Sequence, residues 1–230
     1  MSDSSPIIVA LDYANEKEAL QLVEQLDPSL CRLKVGKELF TRCGPSLVKQ
    51  LVDKKFDVFL DLKYHDIPNT VAKACAAAAD LGVWMLNVHA LGGEKMMQAA
   101  KQAVSEEDAP LLIAVTWLTS SGQAEIDALG LDTTPNELVA RLANMTSNAG
   151  LDGVVCSAQE APLLRKSMAE DFLLVTPGIR LADAEKDDQC RVVTPQKAIA
   201  DGSSYLVIGR PITQAENPCK VLRTIISDIC

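Results

Sequence analysis

Positive charge is in short supply in this sequence. With 22 Lys and Arg against 31 Asp and Glu, its 230 residues carry a formal net charge of −9, which repels a phosphate backbone and excludes nucleic-acid binding through a broad basic surface. Any phosphate the protein binds must therefore meet a local pocket. Long apolar runs are missing too. No segment approaches the ~18 residues needed to cross a bilayer, and Met1-Ser-Asp-Ser-Ser-Pro6 places no basic stretch before an apolar one. The expectation is a cytoplasmic protein with no membrane partner. Seven cysteines are an odd number and form no Cys-x-x-Cys pair, so they read as reduced thiols. The two histidines, His65 and His89, stand at metal-ligand spacing neither from each other nor from a cysteine, and no metal site is expected.

Hydrophobic residues make up 48% of the chain and charged residues 23%, a balance that can bury a large core. Eight short apolar, β-branched runs recur along it: Ile7 to Leu11, Arg32 to Val35, Val58 to Leu62, Trp84 to Val88, Leu111 to Val115, Gly153 to Cys156, Phe172 to Val175 and Tyr205 to Ile208. Near-continuous hydrophobicity marks strands covered on both faces, as in a parallel sheet wrapped by helices. The segments between them are rich in helix formers, notably Asn69 to Ala79 and Lys95 to Val104, and Pro135 falls near the first turn of another helix. An open doubly wound sheet alternates strands and helices in the same way; the count of eight favours a closed (β/α)8 TIM barrel, the α/β class. No linker, low-complexity segment or charge block divides the chain, so residues 1–230 are expected to form a single catalytic domain.

In such barrels the reacting groups sit at the carboxyl ends of the strands. Polar residues fall there in this sequence: Asp12 after the first run, Lys34 in the second, Asp61 and Lys63 at the end of the third, His89 after the fourth, and Thr116 and Thr119 after the fifth. Ser157 follows the sixth, Thr176-Pro-Gly-Ile-Arg180 the seventh and Gly209-Arg210 the eighth. Asp12 by itself also fits a turn residue or a helix cap. Lys34 interrupts its strand, and an ammonium inside a barrel needs a carboxylate nearby. Asp61 and Lys63, two apart on a strand, should share a face, with Leu62 turned toward the helices. Asp66 lies just beyond, before Pro68 and Asn69, where a loop gives way to a helix; its plain alternative is a solvated loop carboxylate. A lysine flanked by carboxylates holds its proton, which suits a proton donor and not a Schiff-base nucleophile. Gly209-Arg210 suits phosphate, because glycine lets a backbone N–H approach and arginine binds phosphate bidentately. Asp183 to Gln189 reads as a mobile loop beside that site.

Five segments together carry a resemblance: Ala10-Leu-Asp12, Arg32-Leu-Lys-Val-Gly36, Asp61-Leu-Lys-Tyr-His-Asp-Ile-Pro-Asn-Thr70, Thr176-Pro-Gly-Ile-Arg180 and Ile208-Gly-Arg210. In this order, from about Ile7 to Arg210, the chain resembles the bacterial-type orotidine 5′-phosphate decarboxylases. The resemblance implies conversion of orotidine 5′-monophosphate (OMP) to uridine 5′-monophosphate (UMP) and CO2, the last step of de novo pyrimidine synthesis, with no cofactor. It implies catalytic roles for Lys34, Asp61, Lys63 and Asp66 as an alternating charge array, with Lys63 the proton donor. It assigns Asp12, Lys34 and Asp61 to the ribose, Thr119 to the pyrimidine, Gln189, Gly209 and Arg210 to the phosphate, and Arg180 to the loop around it. It further implies a homodimer in which Asp66, Ile67 and Thr70 complete the neighbour's site. A related magnesium-dependent lyase acting on a sugar phosphate shares the Asp-x-Lys-x-x-Asp pattern, and a barrel that only binds a nucleotide is the non-enzymatic alternative. The Ile67-Pro-Asn-Thr70 continuation favours the nucleotide enzyme over the first, and a need for Lys63 would exclude the second.

Overall fold

In the computed structural model, which describes residues 5–105, 108–180 and 193–229, eight strands run parallel and close on themselves. They are β1 Ile7–Leu11, β2 Arg32–Gly36, β3 Val58–Tyr64, β4 Met85–His89, β5 Leu111–Val115, β6 Gly153–Val155, β7 Leu173–Thr176 and β8 Tyr205–Ile208. Each pairs with the next, and β8 pairs back with β1 through Leu206, Val207 and Ile208. The barrel expected from the apolar runs is the fold. The expected helices also form, displaced by one residue: Pro68–Ala79 begins at the proline, and Glu94–Ala103 stops before Val104, whose φ of −129° is not helical.

Period-2 alternation explains why these runs read as unbroken. On β1, Ile7, Val9 and Leu11 face the helices while Ile8 joins Phe59, Met85, Ile113 and Val175 inside the barrel. Both faces are dry, so both must be apolar. The central plug forms the floor under the mouth, and Phe59 is its largest fully buried member. Gly153 has a specific steric reason: a Cβ placed there would lie 2.3 Å from the Leu173 carbonyl oxygen on β7. The strand ends hold their helices by local caps. Asn15 accepts from the Glu18 N–H ahead of helix Glu16–Val23, and Thr134 exchanges bonds with Glu137 ahead of helix Pro135–Asn148. Asn15 therefore fills the capping role open to Asp12.

The lower end of the barrel is closed by Arg32, which the sequence marks as a strand start and as the first residue of the Arg32–Gly36 segment without assigning its side chain a role. Arg32 is 5% exposed, stacks over the rings of Trp84 (4.4 Å) and Tyr205 (5.0 Å), donates to the Ser5 carbonyl and pairs with Asp57 at 3.2 Å. A planar guanidinium can stack and bond at its edge at once, which a lysine cannot. The described cysteines, Cys31, Cys43, Cys75, Cys156 and Cys219, are all free. Burial pushes the Cys31 and Cys75 thiols up to about 12, which keeps them protonated and unreactive. No described helix is long and apolar enough to cross a membrane.

Gly153→Ala tests the close approach of β6 and β7. The added methyl should destabilise the protein by ~1–3 kcal/mol through overpacking, seen as a lower urea midpoint; an unchanged midpoint would contradict that contact.

Candidate active site

At the carboxyl ends of the strands lies a cavity of about 290 Å³, with Phe59 at its floor. Asp12, Lys34, Asp61 and Lys63 line one side of the chain's mouth, and Thr119, Arg180, Gly209 and Arg210 also border it. Eight residues singled out in the sequence thus meet in one place. Gln189 lies outside the described residues, as does the segment Asp183 to Gln189. Asp66, Ile67 and Thr70 are exposed and do not border the cavity, and the Asp66 carboxylate accepts from the Ile67 N–H (2.6 Å). Within one chain, then, Asp66 does not flank Lys63.

Asp61 is the hub of the charged side. Its Oδ1 lies 2.5 Å from the Lys63 ammonium, and its Oδ2 is 3.3 Å from Lys34, which in turn stands 3.6 Å from Asp12. Only 12% of the Asp61 side chain is exposed, and burial alone would raise its pKa. The charges of Lys34 and Lys63, with hydrogen bonds from Lys63 and Asn87, outweigh burial and hold the carboxyl below its ordinary value. Lys34 thus has the carboxylate partner its position demanded. Gly36 leaves room for it, since a Cβ there would come within 3.2 Å of the Lys34 Nζ.

Asp61 and Lys63 do face the same way, but simple alternation is not the reason. Lys63 has φ = 53°, in the left-handed region that non-glycine residues seldom occupy. The β3–β4 register also shifts: Leu60 opposes Leu86, and the next pair is Tyr64 with Val88. The bulge lifts residues 61–63 out of the β3–β4 ladder, while Asp61 stays in register with Gly36 on β2. Asn87, fully buried on β4, occupies the gap: its Oδ1 accepts from the Lys63 N–H (2.8 Å) and its Nδ2 donates to Asp61 Oδ1 (2.8 Å). Sequence reasoning missed Asn87. Its signal was present, a polar residue two positions from both Met85 and His89 within an otherwise apolar run.

Other polar residues at the strand ends are structural. The Thr116 hydroxyl donates to the Val155 carbonyl (3.0 Å), and the Ser157 N–H donates to Glu160 (2.8 Å). His89 stacks on His65 with ring centroids 5.6 Å apart. Burial, followed by the charges of His65, Lys37 and Lys63, lowers its pKa to about 4. Among the described residues, no three His, Cys, Asp or Glu side chains gather as a metal-binding cluster.

A closed parallel barrel with a charged cavity at the carboxyl end of its strands defines a (β/α)8-barrel protein of the enzyme type. Residues 5–225 match the profile of the orotidine 5′-phosphate decarboxylase / HUMPS family. The chain is 61% identical over 228 residues to orotidine 5′-phosphate decarboxylase of Nitrosococcus oceani, covering 99% of this chain and 98% of that protein. It is 62% identical over 224 residues to the protein of the same name from Haemophilus influenzae, covering 96% and 97%. The crystal structure of orotidine 5′-phosphate decarboxylase from Lactobacillus acidophilus superposes with a TM-score of 0.88 at 39% identity, covering 98% of this chain and 99% of that one. The chain belongs to the orotidine 5′-phosphate decarboxylase / HUMPS family.

His89 generates a pH prediction. Its folded pKa of about 4 lies below the ordinary 6.5, so between these values the unfolded chain binds a proton that the folded one refuses. Stability is full above pH 6.5 and falls as pH drops toward 4. His89→Phe should flatten that slope in thermal melts across the window, leaving carboxylate-linked loss at lower pH; an unchanged slope would show that His89 is not its source.

Proposed function

We propose that this chain is a carboxy-lyase that converts OMP to UMP and CO2 without metal or organic cofactor, in the last step of pyrimidine synthesis. The observation that carries the reading is the Lys34–Asp61–Lys63 array, with contacts of 3.3 and 2.5 Å, at one side of a cavity also bordered by Arg180, Gly209 and Arg210. Relatives about 60% identical over nearly their whole length carry the decarboxylase name and support it.

Departure of CO2 from C6 of the pyrimidine leaves the bond's electron pair on that carbon, with no adjacent carbonyl to delocalise it. A fixed cation beside C6 is what such a carbanion needs. The Lys63 ammonium supplies it and then transfers one of its protons to C6, forming the C–H bond of UMP; water reprotonates the amine afterwards. Asp61 aligns Lys63, and with Asp12 and Lys34 holds the ribose hydroxyls. Thr119 contacts the pyrimidine. The phosphate is taken by Gly209, Arg210 and Gln189, with Arg180 beside it, and its binding energy helps to orient the reacting end.

The same reading makes the protein a cytoplasmic homodimer of single-domain chains. Asp66, Ile67 and Thr70 then reach the neighbour's cavity. Their exposure, 66% for Ile67, and their separation from the cavity of their own chain support this.

Lys63→Ala should lower turnover by at least ~10²-fold while UMP still binds, because it removes charge stabilisation and the proton source but few ground-state contacts. Mixed with an Asp66→Ala chain, it should recover activity through one intact site in each mixed dimer. Unchanged turnover in Lys63→Ala would refute the donor assignment, and no recovery in verified mixed dimers would refute the shared site.

A further inference from the structure

We infer that Asn87 is a positioning residue for the proton donor, locking both the backbone and the side-chain partner of Lys63 through one amide. This rests on the decarboxylase reading and deepens it.

A left-handed backbone and a strand bulge coincide at Lys63. Its backbone is left-handed (φ 53°), and the β3–β4 ladder skips from Leu60–Leu86 to Tyr64–Val88. A lysine gains nothing intrinsic from that conformation; strain of this kind persists only where the surroundings over-determine it. A bulge also takes residues 61–63 out of the β3–β4 ladder, and the half-buried N–H of Lys63 needs another acceptor. Asn87 Oδ1 is that acceptor, at 2.8 Å. The other end of the same amide donates to Asp61 Oδ1, also at 2.8 Å, the oxygen that receives the Lys63 ammonium. One fully buried side chain thus fixes the start of the lysine by its N–H and the end of it by way of the carboxylate it pairs with.

The chemistry of the position is restrictive. One group must accept from an N–H and donate to a carboxylate simultaneously, which also determines the orientation of the amide: reversed, it would face donor to donor and acceptor to acceptor. Aspartate has the same shape but sets an oxygen against the Asp61 carboxylate. Leucine has similar bulk and makes neither bond. Serine lacks the reach for both.

The test compares wild type and Asn87→Asp in OMP turnover across pH, with UMP affinity measured by titration and folding by circular dichroism. Two carboxyl groups in contact share a proton, so the variant's acidic limb should move to higher pH. Its kcat should fall ~10²-fold as Lys63 loses its fixed place, while UMP affinity stays near the wild-type value. Should the aspartate variant fail to fold, Asn87→Ser is assayed in its place, where kcat falls and UMP affinity is kept. A folded variant with wild-type kcat and an unmoved pH profile overturns the inference. Absence of turnover in wild type itself would instead overturn the decarboxylase reading, so the two failures are distinct.

Discussion

One carboxylate shared by two ammonium groups is the constraint around which the mouth of this barrel is organised. Asp61, Lys34 and Lys63 crowd together with little access to water, and removing Asp61 would leave two neighbouring ammonium groups without the carboxylate they share. The consequences spread outward. Lys34 needs the space that Gly36 leaves, and Lys63 needs a bulged, left-handed strand end and Asn87 beneath it. Such an arrangement stores its ordering cost in the folded protein, and under the proposed function a reacting carbon meets charges that do not have to move.

The scaffold makes this possible by separating its tasks. At the lower end Arg32 is enclosed by Trp84, Tyr205, Asp57 and Ser5, and the plug above it, Ile8, Phe59, Met85, Ile113 and Val175, holds no ionisable side chain. Strands anchored there present their upper ends at fixed spacing, so groups from β1, β2, β3 and the loop after β8 converge although they are far apart in the chain. Local strain at Lys63 is affordable because it is confined to one bulge at the rim.

Much of this was legible in the sequence for a definite reason. Strands buried on both faces leave unbroken apolar runs, and eight of them implied closure; polar residues that end those runs can only lie at the mouth. Asp12, Lys34, Asp61, Lys63, Arg180 and Arg210 were found in that way and do border the cavity. Asn87 was not, because one polar residue inside an apolar run has no meaning until its partners on β3 are known. The same holds for Arg32, whose ring partners begin β4's approach and β8. Alternation led to the right face for Lys63 by the wrong route, since a register shift depends on the neighbouring strand and leaves no local pattern. The separation of Asp66 from its own chain's cavity was legible only through the family resemblance.

The central claim is that this charge array decarboxylates OMP with no metal to help it. The direct measurement is the ultraviolet absorbance of OMP mixed with purified, chelator-treated protein, with released CO2 collected in parallel. The account predicts complete conversion to UMP with one CO2 per nucleotide and no response to added magnesium. An unchanged spectrum, or conversion that appears only when magnesium is restored, would contradict it.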